Sequence, residues 1–148
     1  MAEGGLLERL QRLEDLEALK ELKYCYCAAC DNNYDAEAVA ALFTEDGIWD
    51  GGIYGCYEGR AAIFATFQEA KNSVKFVLHH VGNPIIELDA DSAICRWYLW
   101  LAKINRDGDR SMLFAGTYHD LCVRQAGQWY FKRMTLQMQD MPPLGGQA

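Results

Sequence analysis

At Val74 the hydrophobic pattern of this chain changes period, and that change limits the folds open to it. From Val74 to Gln139 apolar, aromatic and β-branched residues form long runs, cut only by Asp89-Ala-Asp91, Arg106-Asp-Gly-Asp109 and Gln125-Ala-Gly127. The runs predict strands over Val74–Leu88, Ser92–Asn105, Ser111–Arg124 and Gln128–Gln139, with Asp-Gly the strongest hairpin signal. Connections this short join antiparallel neighbours, because a parallel pair needs a crossover of a dozen or more residues. The strands are apolar on both faces: Trp97 and Leu99 alternate with Tyr98 and Trp100. Such a sheet is expected to be covered twice, by helices on one side and by something else, such as a partner subunit, on the other.

Before Val74 the period is three to four. Leu6, Leu10, Leu13, Leu16, Leu19 and Leu22 form a stripe with charges between them, which predicts an amphipathic helix running to about Asn33. A two-stranded coiled coil is disfavoured because Lys20 takes the heptad position after Leu6 and Leu13. The stripe is instead expected to lie on a broad apolar surface. Asp35 is a candidate N-cap for a helix from Ala36 to about Phe43, ended by Thr44-Glu-Asp-Gly47. Two short strands, Ile48–Asp50 and Ile53–Tyr57, flank Gly51-Gly52, and a third helix spans Ala61 to about Ala70. Helices followed by antiparallel strands make an α+β layout. The 148 residues fit one domain, with its core over about 6–140 and a loose tail at Pro142-Pro143 and Gly145-Gly146.

A net charge of −7 without a Lys/Arg cluster argues against nucleic acid as a partner. No apolar run approaches the ~18 residues of a membrane span, so no membrane partner is expected. The first residues lack the basic and apolar regions of a signal peptide, which leads to the expectation of a cytoplasmic chain with reduced thiols. Cys25, Cys27 and Cys30 do not share one helical face and have no histidine nearby, so they read as small hydrophobes and no metal is expected.

Chemistry is concentrated in two places. Tyr26 and Asp31 sit among Cys25, Cys27, Ala28, Ala29 and Cys30, small residues that let backbones pack closely. A carboxylate in apolar surroundings needs a partner. Asp31 therefore either caps a turn, which Asp-Asn-Asn favours locally, or has a buried partner. His79 and His80 are consecutive on a strand and face opposite ways, so only one can look inward, and strand register decides which. His119 reads as an ordinary strand histidine.

Together these residues carry a family resemblance. Leu19-Lys-Glu-Leu-Lys-x-x-Tyr26-x-x-x-x-Asp31, then Trp49, Tyr57-x-Gly59, His79-x-x-x-Asn83, Arg96-Trp-Tyr-Leu99 and Gly127-Gln-Trp-Tyr130 follow in that order. The chain resembles the SnoaL-like family of the nuclear-transport-factor-2-like superfamily, near its scytalone-dehydratase-like members. Those members include bile acid 7α-dehydratase and hexachlorocyclohexane dehydrochlorinase. The resemblance implies a cone-shaped α+β barrel, its curved sheet wrapped around a deep pocket. It implies a cofactor-free enzyme and a homo-oligomer, a trimer or else a dimer. It also implies that His79 is the catalytic base, Asp31 its orienting partner, Tyr26 a contact to a substrate oxygen and Trp49 a pocket wall. Two charges of the bile acid enzyme have no match here: Trp100 and Leu101 follow the Arg96 motif, and the last strand reads Leu136-Gln-Met-Gln139. The expected substrate is accordingly small, cyclic and mostly apolar.

The residue types suit that chemistry. Histidine is a base near neutral pH, and an aspartate accepting its Nδ1 proton fixes the tautomer. Tyrosine can donate a hydrogen bond to a developing oxyanion. Tyr26 and Asp31 are five residues apart, about 140° past a full helical turn, so they are expected to flank the pocket rather than stack. Trp49, Tyr54, Phe64, Phe67, Trp97 and Leu99 are the candidate substrate contacts. Three readings stay open: a dehydratase-like lyase, an isomerase or cyclase with the same base, and a non-catalytic binding or assembly module.

Overall fold

The period change at Val74 is where the helices stop. The structure, a computed structural model, describes residues 2–108 and 110–140, with side chains from residue 5 onward. Three helices, α1 (Ala2–Asp31), α2 (Ala36–Ala41) and α3 (Arg60–Ser73), precede or interleave with β1 (Phe43–Asp50) and β2 (Cys56–Glu58). Then come β3 (Val74–Asp89), β4 (Ser92–Asn105), β5 (Ser111–Gln125) and β6 (Gln128–Gln139). The expected tail, and Asp109 of the second hairpin turn, lie outside the described residues.

The strands form one curved, open sheet in the order β2-β1-β6-β5-β4-β3. The four long strands pair antiparallel in sequence order, as the short connections require. β1 joins β6 in parallel, which makes the sheet mixed. The helices lie against one face, giving the expected α+β cone. Its core is built from the inward positions of the strands: Trp97, Leu99 and Leu101 of β4, Tyr118 of β5, and Phe131, Met134 and Leu136 of β6. Leu19, Leu22 and Tyr26 of α1 and Ile63 and Phe67 of α3 close it. The alternate positions, among them Leu78, Tyr98, Trp100 and Leu121, are exposed on the other face.

Two expectations are corrected. Gly47 does not end a helix. Phe43 pairs with Phe131 and Ile48–Asp50 with Arg133–Thr135, so Thr44–Gly47 is an irregularity inside β1, and α2 ends at Ala41. A Cβ at Gly47 would lie 2.9 Å from Phe43 Cβ, so the bulge is packed too tightly for a side chain. Pairing with β6 outweighs the local turn preference. Asp35 does cap α2, accepting from Ala38 N–H at 3.1 Å. The second correction concerns the leucine stripe. Leu19 and Leu22 are buried, but Leu6, Leu7, Leu10 and Leu13 are 49–66% exposed. Asp15 marks the change: its Oδ1 accepts from Trp129 Nε1 at 3.1 Å and Arg124 Nη1 at 2.7 Å, beside the β5–β6 turn. The strands end there, and α1 continues past them.

Candidate active site

Asp31 is the last residue of α1, and its carboxylate leaves the helix toward β3. Its Oδ1 accepts two bonds from one residue, the backbone N–H of His79 at 2.9 Å and the His79 ring at Nδ1, 2.7 Å away. This is the buried-partner alternative rather than the surface cap. The backbone bond fixes where β3 passes the helix end, and the ring bond fixes the imidazole. A carboxylate is an acceptor only, so in the neutral ring the proton is on Nδ1 and the lone pair on Nε2. The register of β3 decides between the histidines. His79 pairs with Leu101, an inward position, and its side chain is 6% exposed. His80 pairs with Trp100 and lies on the outer face beside Tyr98 and Thr117. His119 is exposed.

Tyr26 and His79 line the pocket; Asp31 does not, and reaches it only through its bond to the His79 ring. The Tyr26 and His79 ring centroids are 6.2 Å apart, edge to face. Tyr26 is 1% exposed, packed edge-on against Phe67, Tyr118 and Phe131. Its hydroxyl accepts the Trp49 indole N–H at 2.9 Å. Burial pushes the Tyr26 phenol well above its ordinary pKa, and the Trp49 bond only partly opposes that. Tyr26 is therefore a neutral hydroxyl at physiological pH, a donor rather than an anion. Gly51 allows this arrangement, because a Cβ there would fall 2.2 Å from the Trp49 ring.

These groups open onto one cavity of about 260 Å³ between the sheet and α3. That is at the small end for ligand sites, which run from roughly 300 Å³ upward, and suits a one- or two-ring molecule. Of the candidate residues, Tyr26, Trp49, Tyr54, Phe67 and His79 line it. Phe64, Trp97 and Leu99 do not. Phe64 is on the outward side of α3 and 42% exposed. Trp97 and Leu99 are inward but deeper in the core, where Trp97 packs edge-on against Tyr24. Two residues further along the strand, Leu101 takes the place assigned to Leu99.

Several wall residues escaped the sequence analysis. Tyr34 is one, and its φ of 48° in the turn after α1 is a left-handed conformation that a bulky residue seldom adopts. Burial raises its phenol pKa. Tyr118, Leu136, Glu69 and Lys103 are others. Lys103 was legible in principle, since it continues the inward series Trp97, Leu99, Leu101. Beneath Tyr26 lies a buried ion pair. Lys23 Nζ is 3.1 and 2.9 Å from the two Asp120 oxygens, and 3.7 Å from the Tyr118 ring centroid. Among the described residues no group of three or more His, Cys, Asp or Glu is placed to hold a metal ion. Nor is any described helix long and apolar enough to cross a membrane.

The profile of the SnoaL-like domain family matches residues 11–135, nearly the whole folded core. The chain belongs to the SnoaL-like family. Solved structures agree with this placement. A candidate scytalone dehydratase from Novosphingobium aromaticivorans is 25% identical, with a TM-score of 0.81 over 93% of this chain and 92% of that one. An NTF2-like protein with a cystatin-like fold from the same organism is 26% identical, with a TM-score of 0.77 over 91% and 88%. Hexachlorocyclohexane dehydrochlorinase type 3 from Novosphingobium barchaimii LL02 reaches a TM-score of 0.83 over 93% and 95%. At 21% identity that likeness concerns the fold alone. No curated protein matches the sequence significantly. This SnoaL-like domain thus has the fold its sequence resembles, with a histidine and a tyrosine at its cavity and an aspartate bonded to that histidine.

Proposed function

We propose that this SnoaL-like protein is a cofactor-independent lyase that eliminates water, or a comparable leaving group, from a small cyclic substrate. The observation that carries the reading is the Asp31–His79 pair at the cavity wall, with Nδ1 held by the carboxylate and Nε2 left for a substrate proton. His79 is the general base. Asp31 orients it and stabilises the imidazolium that forms. Tyr26 donates its hydroxyl proton toward the carbonyl oxygen as an enolate develops, or toward the departing hydroxyl. The apolar rings around them exclude water and strengthen each polar interaction. The likeness to a candidate scytalone dehydratase supports elimination. The protein works in the cytoplasm, as a homo-oligomer, with a trimer favoured by family resemblance. Exposed Leu78, Tyr98, Trp100 and Leu121 on the outer sheet face support that assembly.

The test uses cyclic β-hydroxy ketones in D2O, followed by mass spectrometry and NMR. Loss of water with enone formation is the expected result, with turnover abolished in His79→Ala and in Asp31→Asn while circular dichroism is unchanged. An isomerase would return product of unchanged mass. Undiminished turnover in both variants, or no solvent-derived deuterium and no water loss with any ketone, would refute the reading.

A further inference from the structure

The cavity wall contains a cation that the His–Asp–Tyr chemistry does not use. Lys103 is on β4, directly opposite Val77 of β3, and two residues past Leu101, which is opposite His79. Successive inward positions on a strand share one face, so Lys103 and His79 are diagonal cross-strand neighbours on the cavity side. Such neighbours are roughly 7–8 Å apart at the backbone, within reach of a long side chain. Both line the same cavity.

Among the described residues no carboxylate forms an ion pair with Lys103. The contact its ammonium does make is with the face of Tyr54, 5.2 Å from the ring centroid. Glu69 also lines the cavity, but it is an exposed residue and accepts from Asn72 Nδ2 at 3.2 Å. Most other lining side chains are aromatic or aliphatic. A half-buried ammonium in an apolar wall is under-solvated, and burial lowers the Lys103 pKa from its ordinary 10.5. Elsewhere this protein does not leave its core ammonium so: Lys23 is fully buried and has Asp120. The space beside Lys103 is the cavity itself.

We infer that Lys103 is the anchor for an anionic oxygen of the ligand, so that the substrate class is a one- or two-ring carboxylate. This rests on the proposed function for the location of the reacting carbon, and it adds a charged group to the expected small, cyclic, mostly apolar substrate. The carboxylate pairs with Lys103 at the Tyr54 end of the cavity, and the ring lies against Phe67 and Trp49. The far edge of the ring then presents its C–H to His79 Nε2 and its oxygen to Tyr26. Lys103 is a specificity residue that touches substrate but not the reacting atoms.

The experiment compares ring carboxylates with their neutral carboxamides by isothermal titration calorimetry at pH 7, using cyclohexanecarboxylate, benzoate and 2-naphthoate. A charge-assisted bond in a half-buried site gives the carboxylate a preference of ~10-fold or more. Lys103→Met is expected to reduce that ratio to about 1, and Lys103→Arg is expected to restore most of it. In wild type the preference fades as pH rises through the Lys103 pKa, below 10.5. His79→Ala is expected to keep the preference in full. If the preference holds but proton abstraction survives in His79→Ala, the anion anchor stands and the assigned base is wrong. The inference is overturned if wild type binds carboxylate and carboxamide equally, if the preference survives Lys103→Met, or if neither probe binds at millimolar concentration.

Discussion

Lys23 and Asp120 are buried to 0% and 1% side-chain exposure directly under the cavity floor, and they make a quantitative test of how the core is balanced. At their 2.9 Å separation the Coulomb attraction is about 6 kcal/mol with an effective dielectric constant of about 20. Removing each ion from water costs several kcal/mol, so the pair as a whole contributes little net stability. Asp120 reflects this balance: burial raises its pKa above the ordinary carboxylate value, and Lys23 only partly offsets that. Deleting one partner is different, because the remaining charge keeps its desolvation cost and loses its attraction. Asp120→Asn is expected to destabilise by ~3–5 kcal/mol, a large part of a domain's ~5–15 kcal/mol. The double variant Lys23→Met/Asp120→Leu is expected to lie within ~2 kcal/mol of wild type, since apolar residues replace both ions at similar volume. Urea unfolding followed by tryptophan fluorescence at pH 7 measures all three. A double variant no more stable than the single one would refute the reasoning. The pH dependence supplies a sign. A carboxyl with a raised folded pKa contributes stability that is complete below its unfolded pKa and is lost as pH rises through the folded one. Wild type should therefore gain on the double variant as pH falls from 7 toward 4, and a loss would count equally against the account.

Two further outcomes follow from the same geometry. Tyr26→Phe removes the acceptor of the Trp49 indole N–H, so it should cost ~1–3 kcal/mol in unfolding free energy, and ~10²–10³-fold in turnover of an eliminated ketone. Unchanged turnover would remove Tyr26 from the chemistry while leaving its structural role. Burial pushes the Cys27 thiol up to about 12 and that of Cys30 well above its ordinary value, the hydrogen bond with Cys95 and then burial do the same for Cys122, and Cys25 and Cys56 are exposed. A thiol reagent at pH 8 should label Cys25 and Cys56 promptly and the buried thiols only on unfolding, and prompt labelling of Cys27 would show that the α1–sheet contact opens in solution.

The order of elements was legible from the chain because it rests on local physics. Long apolar and β-branched runs broken by short turns can form little other than antiparallel strands, and β4 ends at the Asp-Gly turn and β6 begins after the Ala-Gly turn, as the sequence places them. The N-cap at Asp35 is likewise a one-turn affair. Tyr26, Asp31 and His79 could be singled out by residue type, by small neighbours and by resemblance. Tertiary structure alone decided how they meet. The register of β3 against β4 turned His79 inward and His80 out, and a one-residue slip would have exchanged them. Parallel pairing of β1 with β6 turned an expected helix stop at Gly47 into a bulge. The length of the sheet left Leu6 to Leu13 uncovered, although their spacing is the same as that of Leu19 and Leu22. Lys103 needed the fold most of all. Sequence records that a lysine follows an inward series, but only the packing of α3 and Tyr54 over the sheet makes that position the wall of a cavity.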